Sequence, residues 1–125
     1  MRKIIATSEA PAAIGPYSQA VVRRNLLFIS GQLPIDPESG ALVTDNISGQ
    51  TRRIMENIQA IASEAGTRLE KAVKSTIFLT DLRDFQAMNA AYGEYFPANP
   101  PARSTVQVAA LPLNSPIGIE MIIAV

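Results

Sequence analysis

The sequence predicts an α+β fold with helices laid on one face of a sheet. Three observations predict it: the first third alternates short apolar runs with Pro and Gly, two segments of helical periodicity follow with one strand-like run between them, and two further strand-like runs close the chain. The order is strands, helix, strand, helix, strands.

Ile4 and Ile5 form a short apolar opening, and Pro11 to Ser18 is a loop punctuated by Pro and Gly. Gln19 to Val22 and Leu26 to Ile29 flank Arg23, Arg24 and Asn25, which predicts an antiparallel hairpin. Pro34 to Gly40, with two prolines, Asp36 and a closing glycine, is a turn region. Asp45 or Asn46 is the candidate N-cap of the first helix. Its stripe is Ile47, Ile54, Ile58, Ile61, Ala62 and Ala65, ending at Gly66 as a C-cap, with Glu56, Gln59, Ser63 and Glu64 on the wet side. Ala72 to Thr80, rich in Val, Ile, Thr and Phe, reads as a strand covered on both sides at its apolar end. Asp81 or Asp84 caps a second helix with the stripe Phe85, Met88, Tyr92 and Phe96, ending before Pro97. Ala102 to Val108 and Ile117 to Val125 are the closing strands, joined by a loop carrying Pro112, Asn114 and Pro116.

No long linker or repeat interrupts the chain, so residues 1–125 read as a single domain. The last strand is apolar on both parities, with Ile117, Ile119, Met121, Ile123 and Val125 on one and Ile122 and Ala124 on the other. A solvent-facing strand alternates with polar residues, so the second sheet face is expected to be covered by another subunit of a homo-oligomer.

Composition removes several chemistries. The 125 residues contain no Cys and no His, which excludes disulfides, a thiolate nucleophile, an imidazole base and any site built on those ligands. Catalysis falls to carboxylates, Arg, Lys, Tyr, hydroxyls or the backbone. Eleven Lys and Arg balance eleven Asp and Glu, which argues against nucleic-acid binding through many phosphates, and the pairs Arg23-Arg24 and Arg52-Arg53 read as solvated surface. Glu9 and Pro11 cut the opening apolar run short of a signal-peptide core and no later stretch reaches membrane-span length, which predicts a cytoplasmic protein. Asn46-Ile47-Ser48 is then an accidental glycosylation match.

The parity of the last two strands is the strongest local feature. With Val106 and Val108 facing the core, Ala102 and Ser104 join them, while Arg103, Thr105 and Gln107 point to the other face. Glu120 falls on the parity opposite the Ile117 to Ile123 row. Two readings stay open: a structural Arg103–Glu120 ion pair, or a site in which Arg103 forks onto a substrate carboxylate and Glu120 orients or deprotonates a water. Ser30-Gly31-Gln32 after a strand, Tyr17 in the Pro/Gly loop and Asn89 within the second helix stripe are weaker candidates, each with an ordinary structural alternative. Lys71 and Lys74 read as solvated, and no phosphate loop, Ser-base triad or metal-ligand cluster is present.

The run Ala10 to Gln19 (Ala-Pro-Ala-Ala-Ile-Gly-Pro-Tyr-Ser-Gln), Ser30-Gly31-Gln32, Asn57, Gly66, Asn89 to Tyr92, and above all Pro101 to Val106 followed by Ile119-Glu120-Met121 resemble the RidA/YjgF family of reactive intermediate deaminases. The resemblance runs from about residue 3 to the C-terminus. It implies a chorismate-mutase-like fold, a six-stranded mixed sheet with two helices on one face, assembled as a homotrimer with clefts between subunits. It also implies hydrolysis of 2-aminoacrylate/2-iminopropanoate and 2-iminobutanoate to 2-oxo acids and ammonia, without metal or other cofactor. By position, Arg103 would grip the carboxylate and Glu120 would hold the water, with Tyr17, Ser30, Gly31, Asn89 and the backbone at Thr105 shaping the cleft. The family commonly has cysteine where this chain has Thr105, and the stretch Phe96 to Pro101 is shorter than in many relatives. A trimeric metabolite-binding or regulatory protein without turnover is the alternative. Endoribonuclease or translation-inhibitor activity, also described for the family, fits poorly with neutral charge and no His.

Overall fold

A two-residue turn at Arg24 and Asn25, with Arg24 in the left-handed region at φ 56°, folds the first hairpin. A computed structural model describes residues 1–125. The strands are β1 (Arg2–Ile5), β2 (Ala20–Arg23), β3 (Leu26–Gln32), β4 (Ala72–Leu79), β5 (Ala102–Gln107) and β6 (Ile117–Ala124). They form one mixed sheet in the order β1-β2-β3-β6-β4-β5, in which only β4 and β5 run parallel. The chain's last strand is thus a central one, which is why its odd-numbered row must be apolar. Ile117, Ile119, Met121 and Ile123 are buried beside Leu27 and Ile29 of β3 and Ile77 and Leu79 of β4.

Helix α1 (Ile47–Glu64) covers that row with Ile54, Met55, Ile58 and Ile61, against β3 and β6. Asn46 is its N-cap, the side chain accepting from the Gly49 N–H at 2.9 Å. Gly66, at φ 79°, follows its C-cap Ala65, and the four residues expected on the wet side are exposed. Helix α2 (Phe85–Gly93) lies beside α1. Asp81 caps the short 3-10 turn before it, accepting from the Arg83 N–H, and Asp84 makes no side-chain cap bond. The helix stops one turn earlier than the stripe to Phe96 predicts. Gly93 weakens the helix, and Glu94, Tyr95 and Phe96 continue in tighter i→i−3 turns that still bury Phe96 against Tyr92.

The other face of the sheet carries no helix. Ile4, Phe28 and Val106 stand exposed on it, with Ile122 and Phe78 half-buried between. Here one expectation is corrected: β5 has the opposite parity. Arg103 and Thr105 lie beside Ser75 and Ile77, whose side chains face the helices, whereas Ser104 and Val106 lie beside Thr76 and Phe78 on the bare face. β5 is an edge strand whose orientation is set by its one neighbour, so Val106 is no marker of the core there. No helix of the chain is long and apolar enough to cross a membrane.

Candidate functional site

An irregularity in β3 builds the first half of the site. Ile29 pairs with Met121 and Gln32 with Ile119, so two residues, Ser30 and Gly31, stand opposite one, Glu120. That is a β-bulge, a device that breaks the ladder locally and re-aims side chains. Glu120 is exposed at this bulge. It lines a cleft of about 610 Å³ together with Tyr17, Ser30 and Gly31, walled by apolar groups including Ile14, Leu33, Phe78 and Leu111. An ideal Cβ on Gly31 would meet nothing within 4 Å, so the glycine leaves backbone bare toward the cleft.

Gln19 holds the wall of this cleft. Its Oε1 accepts from the Thr7 N–H at 2.7 Å, and its Nε2 donates to the carbonyls of Thr7 (3.0 Å) and Pro11 (2.7 Å). A buried amide with that many partners ties the Pro/Gly loop, and with it Tyr17, to the sheet. The Ser30 hydroxyl donates to the Ser18 carbonyl at 2.6 Å, so it too fastens the loop. The sequence does not mark Gln19 as a site-building residue beyond the signal of a polar side chain directly after a Pro/Gly loop and before a strand.

The second half lies on the opposite face of the sheet. Arg103 sits on β5 with its guanidinium carbon 5.6 Å from the Phe85 ring centroid and 5.1 Å from that of Tyr92. The chain's ion pairs are Arg52–Glu94, Arg53–Glu56, Arg68–Glu70 and Arg83–Asp81, so no carboxylate of its own chain neutralises Arg103. Tyr92 is fixed by a 2.6 Å hydrogen bond between its hydroxyl and that of Ser75. Burial pushes the Tyr92 phenol up, while the Ser75 hydrogen bond and the Arg103 charge act the other way. Asn89 is exposed on α2, four residues after Phe85 and three before Tyr92, which places it beside the two rings. Thr105, next on the same side of β5, has a buried Oγ1 with no hydrogen-bond partner.

The structure therefore brings Tyr17, Ser30, Gly31 and Glu120 together at one place and Arg103, Asn89 and Thr105 at another. An Arg103–Glu120 ion pair within one chain does not form, because Arg103 shares the helix-covered face with Ser75 and Glu120 the bare face with Thr76. No group of three or more acidic side chains gathers to hold a metal.

The strand order and the one-sided helical layer define the class, a chorismate-mutase-like α+β protein of the RidA type. Residues 7–125 match the family model described as Endoribonuclease L-PSP. Reactive Intermediate Deaminase A, chloroplastic, of Arabidopsis thaliana is 48% identical over 121 residues, which is 97% of this chain and 65% of that protein. The 2-iminobutanoate/2-iminopropanoate deaminase of Homo sapiens is 43% identical over 122 residues, 98% of this chain and 89% of that one. The crystal structure of E. coli TdcF with bound serine matches with a TM-score of 0.94 at 42% identity, over 98% of each chain. The chain belongs to the RidA/YjgF family.

Proposed function

We propose that this protein hydrolyses 2-aminoacrylate/2-iminopropanoate and 2-iminobutanoate to 2-oxo acids and ammonia, in clefts formed between copies of a cytoplasmic homotrimer. The observation that carries this reading is the state of Arg103, a cation without a carboxylate partner in its own chain, held on aromatic rings with its hydrogen-bonding edge uncommitted. Such a fork binds a carboxylate bidentately. Glu120, in the cleft with Tyr17 and the bare backbone of Gly31, is the group that positions water. Water adds to the carbon of the protonated imine as Glu120 accepts its proton. Glu120 returns that proton to nitrogen, then takes the remaining hydroxyl proton as the carbonyl forms, the C–N bond breaks and ammonia leaves, to be released as ammonium. No thiol is required, so Thr105 is compatible with the reaction.

Because the two groups occupy opposite faces of one sheet, the reading requires Arg103 of one copy to reach the Glu120 cleft of the next. The bare apolar face supports such an association. The names of the Arabidopsis and human relatives support the imine chemistry.

The test adds the purified protein to a threonine dehydratase reaction and follows imine decay. Wild type accelerates the decay, and Arg103→Ala and Glu120→Gln each do not. Mixed and re-assembled, the two dead variants regain activity, since some clefts then combine an intact arginine from one copy with an intact glutamate from another. Failure of wild type to accelerate decay, with 2-oxobutanoate still bound in calorimetry, would replace the enzyme with a metabolite-binding protein.

A further inference from the structure

Phe85 and Tyr92 are seven residues apart on α2, two helical turns, and so present their rings from one side of the helix. Both rings lie within cation–π range of the same guanidinium. The contact is closed into a cycle: Ser75 is the register neighbour of Arg103 across β4 and β5, the Ser75 hydroxyl bonds the Tyr92 hydroxyl at 2.6 Å, and the Tyr92 ring returns to Arg103. Phe96 packs against Tyr92 with centroids 5.0 Å apart, which confines that ring further. An arginine is commonly oriented by a carboxylate, but a carboxylate occupies the N–H donors and cancels the charge. Aromatic rings occupy the flat face of the guanidinium and leave its edge and its charge available.

We propose that Phe85 and Tyr92 are positioning residues that preorganise Arg103 for a carboxylate, with Ser75 as the lock on the Tyr92 ring. This rests on the proposed function only in taking a carboxylate as the partner of Arg103. Preorganisation lowers the ordering cost of binding, so its loss appears in affinity before it appears in turnover.

The experiment measures calorimetric affinity for 2-oxobutanoate and for its methyl ester, beside the KM and kcat of imine hydrolysis. Tyr92→Leu, which keeps bulk and removes the ring, is expected to weaken 2-oxobutanoate binding about 3- to 30-fold and to raise KM in step, with the ester unaffected. Tyr92→Phe restores the ring and most of the affinity. A general loosening of the fold would weaken acid and ester together, and that result, or unchanged acid affinity in Tyr92→Leu, overturns the proposal. Should Tyr92→Leu fail to fold, Phe85→Leu, at a half-buried position, makes the same measurement. Wild type that binds 2-oxobutanoate selectively over the ester through Tyr92 but hydrolyses no imine removes the enzymatic reading and leaves the positioning role of Phe85 and Tyr92 standing. Wild type that hydrolyses imines with Tyr92→Leu indistinguishable from it removes that positioning role alone, and wild type that does neither removes both.

Discussion

The two halves of the site are built from different materials. Arg103 stands on regular elements, a strand in register with β4 and a helix face, and its neighbours Ser75 and Tyr92 are buried and bonded to one another. Glu120 stands at an interruption, a bulge in the ladder beside a loop, and its surroundings are half open. The Arg103 half gains precision from packing, and the Glu120 half keeps an open cleft at the cost of regular hydrogen bonding. Such a division suits a site in which one group holds a fixed anion while the other accommodates a moving water.

The largest break in this comparison is Arg103→Ala, expected to lower kcat/KM by at least about 10²-fold, on the order of a lost charged hydrogen-bond pair, while the thermal melt stays close to wild type. Imine-decay kinetics beside calorimetric melting checks it. Met121→Ala is expected to act in the opposite sense: it empties a fully buried position in β6 and costs about 2–5 kcal/mol of stability, measured by urea unfolding. Gln19→Ala separates the halves more selectively. Leaving the Thr7 N–H and loop carbonyls unpaired is expected to cost about 1–3 kcal/mol and to raise KM through the Tyr17 loop, with the Arg103 side unaffected.

The pH response sharpens the contrast. The native Tyr92 phenol is held above its ordinary value, chiefly by burial, so its contribution to stability is full below the unfolded pKa, about 10, and is lost as pH rises through the higher native value. Alkaline unfolding monitored by circular dichroism, shifted to higher pH in Tyr92→Phe, checks this. The smallest effect belongs to Glu94. Its exposed bidentate pair with Arg52 (2.8 and 3.0 Å) holds the carboxyl below its ordinary value, so the pair contributes above that ordinary value and fades as pH falls. Glu94→Gln is expected to flatten the acid limb of the unfolding curve slightly and leave catalysis unchanged.

Much of the fold is legible in the residues. The Asn46 cap, the Gly66 stop and the stripe through Ile54, Ile58 and Ile61 state α1 plainly, because a helix declares itself through local periodicity and end chemistry. Five of the six strands are legible within one to three residues at their ends, and β1 shows in the sequence only as the short apolar opening Ile4-Ile5. The facing of β5 is not, since an edge strand with Val on one parity and Thr on the other takes its orientation from a neighbour distant in sequence. For the same reason Arg103 and Glu120 are legible as unusual residues but not as residents of opposite faces. The bulge is equally hidden: Ser30-Gly31 reads as an ordinary turn until β6 is placed opposite it.

That bulge also sets the phase of β3. Leu27 and Ile29 point toward the helices, and regular alternation would send residue 31 the same way, yet the extra residue hands that inward position to Gln32. Deleting either Ser30 or Gly31 would leave Gln32 in its inward place opposite Ile119, now in an uninterrupted ladder, and would remove the extra residue that stands opposite Glu120 at the cleft. The strand is in effect a counter set one step ahead, and the cleft exists only while the count is kept.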